Sequence, residues 1–282
     1  MTAPIVVGYD GSVDSRIAVD FALAEAELRK QPLVIVYALL TPVPTLPFEA
    51  TYAWHHDSTE REAAEKMLTQ VAAEIRADAE HVRIDTEIVD TVVASAALIE
   101  KSRTASLLVV GSRGHGGISG LLLGSTSSQV AGHAHCPVLV TRRNVEYGEQ
   151  RGVVVVGVDG SELSDHAVGF AFEVADMRGA ELVAVHAWRP LIPRAEAEFE
   201  DVEADVLAES LESWQRRYPD VPVRRRSVSG NTRDVLLEQS AGADLLVVGS
   251  RGRGGFAGLI LGSTSQAMLH HATVPVAVVH SR

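Results

Sequence analysis

The chain is one unit written twice. "IVVGYDGSVDSRIAVDFA" (Ile5 to Ala22) returns as "VVVGVDGSELSDHAVGFA" (Val154 to Ala171), sharing Gly8/Gly157, Asp10/Asp159, Gly11/Gly160, Ser12/Ser161, Ser15/Ser164 and Ala18/Ala167. A glycine-rich phrase also recurs, "GSRGHGGISGLLLGSTS" from Gly111 and "GSRGRGGFAGLILGSTS" from Gly249. The copies end alike, in "HCPVLVT" and "TVPVAVV". The offset between them falls from 149 residues at the first match to 138 at the glycine phrase, so copy one is longer by 11 residues in its middle. In a chain of 282 residues this repeat predicts two domains of ordinary size, 1–144 and 150–282, joined through the polar stretch "RRNVEYGEQRG".

Within each copy, strand and helix signals alternate. Ile5–Tyr9, Leu33–Ala38, Arg83–Val89, Leu107–Val110 and Val138–Thr141 are short Val/Ile/Leu-rich runs, the pattern of parallel strands covered on both faces. Between them, Ile17, Phe21, Ala24 and Leu28 share a helical face, as do Met67, Leu68, Val71 and Ile75. Copy two repeats this with Ala167, Phe170, Ala171 and Val174, then with Phe199, Val202, Val206 and Leu207. Pro137 and Pro275 end the last helix of each copy and lead into its last strand. The fold class is α/β: two tandem, doubly wound, five-stranded parallel-sheet domains, each with strand order 3-2-1-4-5. Such sheets bind ligands beyond the carboxyl ends of their strands, where the strand order switches. Asp10 and Asp159 directly follow the first strands, and the glycine phrases directly follow the fourth. In this order the two features face each other across the crevice.

The glycine phrase has the chemistry of an anion site. Small residues let backbone N–H groups approach a ligand, and successive amides form an anion-binding concavity. Two residues separate the first glycines (Gly111 and Gly114; Gly249 and Gly252), and nine more precede a Gly-Ser-Thr (Gly124, Ser125, Thr126; Gly262, Ser263, Thr264). The runs "STSSQVAGHAH" and "STSQAMLHHA" read as helices after a polar start, and a helix N-terminus offers unpaired N–H groups and a partial positive charge. The competing reading is that the glycines only shape a turn and the Ser/Thr only cap a helix; two matched copies, each paired with an Asp-Gly-Ser, favour binding. No Gly-Lys-Ser/Thr occurs, so this is not a Walker A loop. "GRGGFA" (Gly252 to Ala257) fits a dinucleotide fingerprint only in letters, because it follows the fourth strand instead of the first.

Composition narrows the partners. A net charge of −12 argues against nucleic acid or anionic membrane as the main partner. The lone Cys136 excludes an internal disulfide framework and fits a reducing compartment. No basic segment followed by an apolar stretch opens the sequence, and runs such as "PLVIVYALL" are too short to span a bilayer. A cytoplasmic, soluble protein is expected.

These motifs together resemble the universal stress proteins of the ATP-binding type, over nearly the whole chain and in tandem, as in mycobacteria and related actinobacteria. The resemblance rests on G-2x-G-9x-G-[S/T] in both copies, the strand-one Asp and the terminal Pro-Val strand. It implies that Asp10 and Asp159 lie by the adenosine, near ribose or a phosphate-bound metal. Gly8, Gly11 and Ser12, with Gly157, Gly160 and Ser161, flank those aspartates. The backbones of Ala38 and Ala187 would hold adenine. Gly111, Gly114, Gly249 and Gly252 would line ribose and phosphates, and Gly124, Ser125, Thr126, Gly262, Ser263 and Thr264 the phosphate tail. Ser112 and Ser250 lie within the same loops. Arg113, Arg251 and Arg253 either touch phosphates or dress the loop. Mg²⁺ would accompany the triphosphate, since it keeps waters and uses few protein ligands. Each Asp has an alternative reading as an Asx-turn or cap.

Copy one departs from this pattern before its fourth strand. It reads "DTVVASAALIE" against "SGNTRDVLLE", with Val92 where Gly230 falls, which predicts a first site that is narrower or holds its ligand differently. It also carries "TPVPTLPFEATYAWHH", a proline-rich loop with Tyr52 and Trp54, read as a lid, a contact surface or simply a solvated loop. The histidine pairs His55/His56, His133/His135 and His270/His271 lack helical i, i+4 spacing, so no dedicated metal site is expected. The four late histidines suit helix C-termini, and Arg224 to Arg226 suit a solvated strand edge.

The expected function is a nucleotide-dependent regulator or sensor in a stress or dormancy response. The alternative is a slow ATPase or phosphotransferase at the same sites, for which no residue stands out as base or charge clamp. A pure interaction protein with vestigial sites is a third class. The apolar last strands are expected at sheet edges, pairing the two halves of the chain, and a homodimer is expected on symmetry grounds. The regulated protein is not legible.

Overall fold

A computed structural model describes residues 2–41, 49–114, 123–143, 151–189, 196–252 and 260–280. The chain divides into two units, Met1–Arg143 and Asn144–Arg282, each described by itself below.

Unit one runs β1 (Ile5–Gly8), α1 (Val13–Arg29), β2 (Leu33–Leu40), α2 (Glu49–Asp78), β3 (Ile84–Thr91), α3 (Ala94–Lys101), β4 (Leu107–Val110), α4 (Ser125–His133) and β5 (Val138–Val140). Its strands lie in the order β3-β2-β1-β4-β5, all parallel. Unit two repeats the scheme: β6 (Val153–Gly157), α5 (Glu162–Arg178), β7 (Glu181–Trp188), α6 (Glu196–Arg217), β8 (Val223–Ser229), α7 (Thr232–Gln239), β9 (Leu245–Gly249), α8 (Ser263–His271) and β10 (Val276–Val279). Its order is β8-β7-β6-β9-β10, again parallel. Both orders are the expected 3-2-1-4-5. The central strands are apolar throughout because helices cover both faces: Ile5, Val7, Leu108 and Val109 are fully buried in unit one, as are Val154 to Val156 in unit two. The order reverses between β1 and β4, and between β6 and β9, which fixes where each crevice opens.

Helix details differ from the sequence reading in three places. On α1 the expected Phe21 and Ala24 are buried, with Ala18, Val19, Ala22 and Ala26, while Ile17 and Leu28 are only half-buried, because small residues let α1 sit close to β1 and β4. In α6 the inward stripe is Glu203, Leu207, Leu211 and Trp214, so Val202, one position off that stripe, is 56 % exposed. Helix α2 begins at Glu49, so Tyr52 and Trp54 belong to a helix and not to the expected loop; residues 42–48 of that stretch lie outside the described residues. The arginines 224–226 are exposed on the edge strand β8, and His133, His270 and His271 fall in the last turns of α4 and α8.

The repeated helices α1 and α5 end in the same left-handed cap from different residues. In unit two the cap is Gly179 (φ 59°), and in unit one it is Lys30 (φ 52°), whose Cβ makes that conformation unfavourable. Lys30→Gly should therefore raise stability by about 1 kcal/mol, seen as a higher urea midpoint at unchanged slope.

Candidate functional site

Each unit builds the first side of its crevice from an Asp-Gly-Ser turn. Asp10 Oδ1 accepts the Ser12 N–H at 3.0 Å, and Asp159 Oδ1 accepts the Ser161 N–H at 2.9 Å. Ser12 and Ser161 are the N-caps of α1 and α5, accepting from Ser15 N at 3.2 Å and Ser164 N at 3.1 Å. The Asx-turn reading therefore holds, on one oxygen of each carboxylate. The turn uses Oδ1, while Oδ2 faces the glycine loop. A Cβ added to Gly114 would lie 2.5 Å from Asp10 Oδ2, and one added to Gly252 would lie 2.4 Å from Asp159 Oδ2. The carboxylate and the loop stand across the switch point in both units.

The second side of the crevice is the glycine loop, tied at its base. Gly124 N donates to Ser112 O at 2.8 Å, and Ser127 Oγ donates to Gly111 O at 2.6 Å. Unit two repeats both bonds, Gly262 N to Ser250 O at 2.7 Å and Ser265 Oγ to Gly249 O at 2.5 Å. Gly111 also packs against the first turn of α1, where a Cβ would come within 2.7 Å of the Asp14 backbone. Helices α4 and α8 then start from Gly124 and Gly262, extended N-caps that offer no side-chain acceptor. By contrast, Ser12, Ser161 and Asn231 each cap their own helix. A helix start without a capping side chain leaves its first amides to a ligand or to water.

In unit one these pieces enclose a cavity of about 910 Å³, the size of a small-molecule site. Its polar end is formed by Asp10, Arg113, Gly114, Gly124, Ser125 and Thr126; Gly8 and Gly111 also line it. The other end is largely apolar, with Val36, Ala38, Leu39, Met67 and Leu98, and carries Tyr37 and Glu60. Burial raises the Tyr37 phenol above its ordinary value, and the nearby Glu60 and Asp10 carboxylates push the same way. Burial likewise raises Tyr9, against the opposing pull of the Arg16 guanidinium. Gly11 (φ 81°), Ser12 and Ser112 are not among the lining residues: they make the turn, the cap and the loop tie. Val92 is 64 % exposed and does not line the cavity, so it does not narrow the first site as expected. Counted back from the N-caps of α3 and α7 it matches Gly230, but by strand register Thr91 does, because unit one holds an extra residue there.

A protein-family model for universal stress proteins matches residues 1–142 and again residues 151–280. The chain belongs to the universal stress protein family. A universal stress protein of Mycobacterium tuberculosis is 38% identical over 284 residues, covering 97% of this chain and 96% of that protein. One from Mycolicibacterium smegmatis is 38% identical over 288 residues, covering 99% and 97%. Among solved structures, a universal stress protein from Archaeoglobus fulgidus superposes with a TM-score of 0.73 at 22% identity, covering 99% of each chain.

Within this universal stress protein the two units differ in side chains around a shared frame. Tyr37 of β2 corresponds to His186 of β7, and Ala64 of α2, counted back from the helix ends, to Glu203 of α6. His186 Nδ1 lies 2.7 Å from Val158 O, and Nε2 lies 2.8 Å from Glu203 Oε2. Ala187 neighbours His186 on β7. Asp14 of α1, buried in unit one, is replaced by Leu163. The sequence reading missed Ser127 and Ser265, the second serine of each "GSTS", although their recurrence at the same spacing was a usable signal. No described helix is long and apolar enough to cross a membrane.

Ser127→Ala and Ser265→Ala should each cost about 1–3 kcal/mol, since a carbonyl loses its partner. Amide exchange should quicken at the start of α4 or α8 respectively. Tyr37 favours its neutral form in the folded state, so its contribution is complete below about pH 10 and is lost as pH rises through the raised folded value. Tyr37→Phe should flatten the alkaline fall in stability, read by urea unfolding at stepped pH.

Proposed function

We propose that each unit binds an adenine nucleotide, ATP with Mg²⁺ foremost, and that the chain is a nucleotide-dependent regulator in a stress or dormancy response. The observation that carries this reading is the pair of glycine-capped helix starts, each set in a hydrogen-bonded loop opposite an Asp carboxylate. The phosphate tail lies on the loop and on Gly124, Ser125 and Thr126, or on Gly262, Ser263 and Thr264. Backbone amides and the helix dipole supply positive potential there in a chain whose net charge is −12. The ribose sits between Asp10 and Gly114 in unit one, and between Asp159 and Gly252 in unit two. Adenine lies along Ala38 or Ala187 at the apolar end. Mg²⁺ fits a site with one carboxylate beside phosphates, with Asp10 or Asp159 as the protein group nearest it. Regulation follows if nucleotide binds one conformation better than another.

Mass analysis of the supernatant from denatured, purified protein tests the reading: adenine nucleotide is expected. Gly114→Ala drives a methyl against the Asp10 carboxylate and should remove the share held by unit one. Gly252→Ala should do the same for unit two, and the double variant should carry none. ATP mixed with excess protein is expected to stay intact in a single-turnover measurement, whereas conversion to ADP would favour phosphotransfer instead. Protein free of nucleotide that also fails to take up added ATP would overturn the reading.

A further inference from the structure

We propose that Asp14 is a positioning residue for the phosphate end of the first site, a device the second site lacks; this rests on the nucleotide reading above. Asp14 lies in the first turn of α1 and is 2 % exposed. Its Oδ1 accepts from Ser112 Oγ at 2.9 Å, inside the glycine loop. Its Oδ2 accepts from Arg143 Nε at 3.1 Å and from Arg143 Nη2. Arg113 Nε stands 3.9 Å from Oδ1, and that nitrogen is buried without a hydrogen-bond partner. Arg113 also lines the cavity, whereas Asp14 does not.

The charges around this carboxylate do not balance. Two guanidinium groups flank a single buried carboxylate, and the hydrogen bonds of that carboxylate go to Ser112 and Arg143. Arg113 is thus held by a long ion pair through Nε, without a hydrogen bond to the carboxylate. Its remaining donors are left for an anion at the polar end of the cavity. The same carboxylate fixes Ser112, whose carbonyl receives the Gly124 N–H at the start of α4. Asp14 therefore orients the guanidinium of the phosphate grip, whereas the helix start keeps its tie in unit two without an Asp, through Gly262 N and Ser250 O. In unit two Leu163 takes this place and Arg251 is exposed, so Ser250 and Arg251 have no such acceptor on that residue.

The test separates the phosphate end from the rest of the site. Full-length protein carrying Gly252→Ala reports site one alone, and calorimetry with ATP and with adenosine gives two affinities. Asp14→Asn keeps the volume and the acceptor for Ser112 but removes the charge; Asp14→Leu installs the side chain of unit two. Both variants should weaken ATP about tenfold, one step of ~1.4 kcal/mol, and leave adenosine within about twofold. Unchanged adenosine affinity also shows that the site has folded, which a merely structural role for Asp14 would not preserve alongside the ATP loss. An unchanged or higher ATP-to-adenosine ratio in both variants overturns the role of Asp14 alone. Equal loss of both ligands overturns it as well, in favour of a structural role. Absence of ATP binding to the parent protein removes the nucleotide reading, and this inference with it.

Discussion

Two hydrogen bonds at the base of each glycine loop set the geometry on which the crevice depends. One joins the amide of the glycine that starts the last helix to a serine carbonyl, and the other joins a serine hydroxyl to the glycine carbonyl that ends the fourth strand. Together they return the chain to within bonding distance of where it left the sheet, so α4 and α8 start beside β4 and β9. The close approach of Gly111 to the first turn of α1 adds a second limit, since no side chain fits there. The loop is thereby held against the start of α1, which directly follows the turn that carries Asp10.

Most of this frame was legible because it was written twice. Repeat and periodicity placed all five strands of each unit, and fold rules placed the switch point, so Asp10 and Gly114 were expected to face each other and do. What escaped was side-chain placement on long helices. Periodicity counts apolar residues, and the inward stripe of α6 includes a carboxylate, Glu203, because His186 is buried opposite it. The count therefore drifted to Val202, which faces solvent. Asp14 was passed over for a related reason: an acid in the first turn of a helix reads as a dipole partner, and its burial depends on Arg143, 129 residues later. Register was also misjudged by one residue near Val92, where unit one adds a residue between strand and helix.

The two units keep the frame and change the lining. Both carry the Asx-turn, both loop ties and both glycine N-caps, with bond lengths that agree within about 0.2 Å. They differ at Asp14/Leu163, Tyr37/His186 and Ala64/Glu203. Backbone amides have no side chain to lose, so a grip built from them survives divergence that rewrites the surroundings. A tandem chain can in this way keep one backbone plan in both units while the surrounding side chains diverge.

The histidine of β7 has a mechanical consequence. A carbonyl oxygen can only accept, so Nδ1–H donates a hydrogen bond to Val158 O and fixes the imidazole in one orientation, while Glu203 engages the opposite nitrogen. A ring anchored at both ends resists flipping. In unit one Tyr37 takes the place of His186, and the unbranched thioether of Met67, which lines the cavity, adapts its rotamer readily. One unit thereby carries a braced imidazole, and the other a compliant thioether.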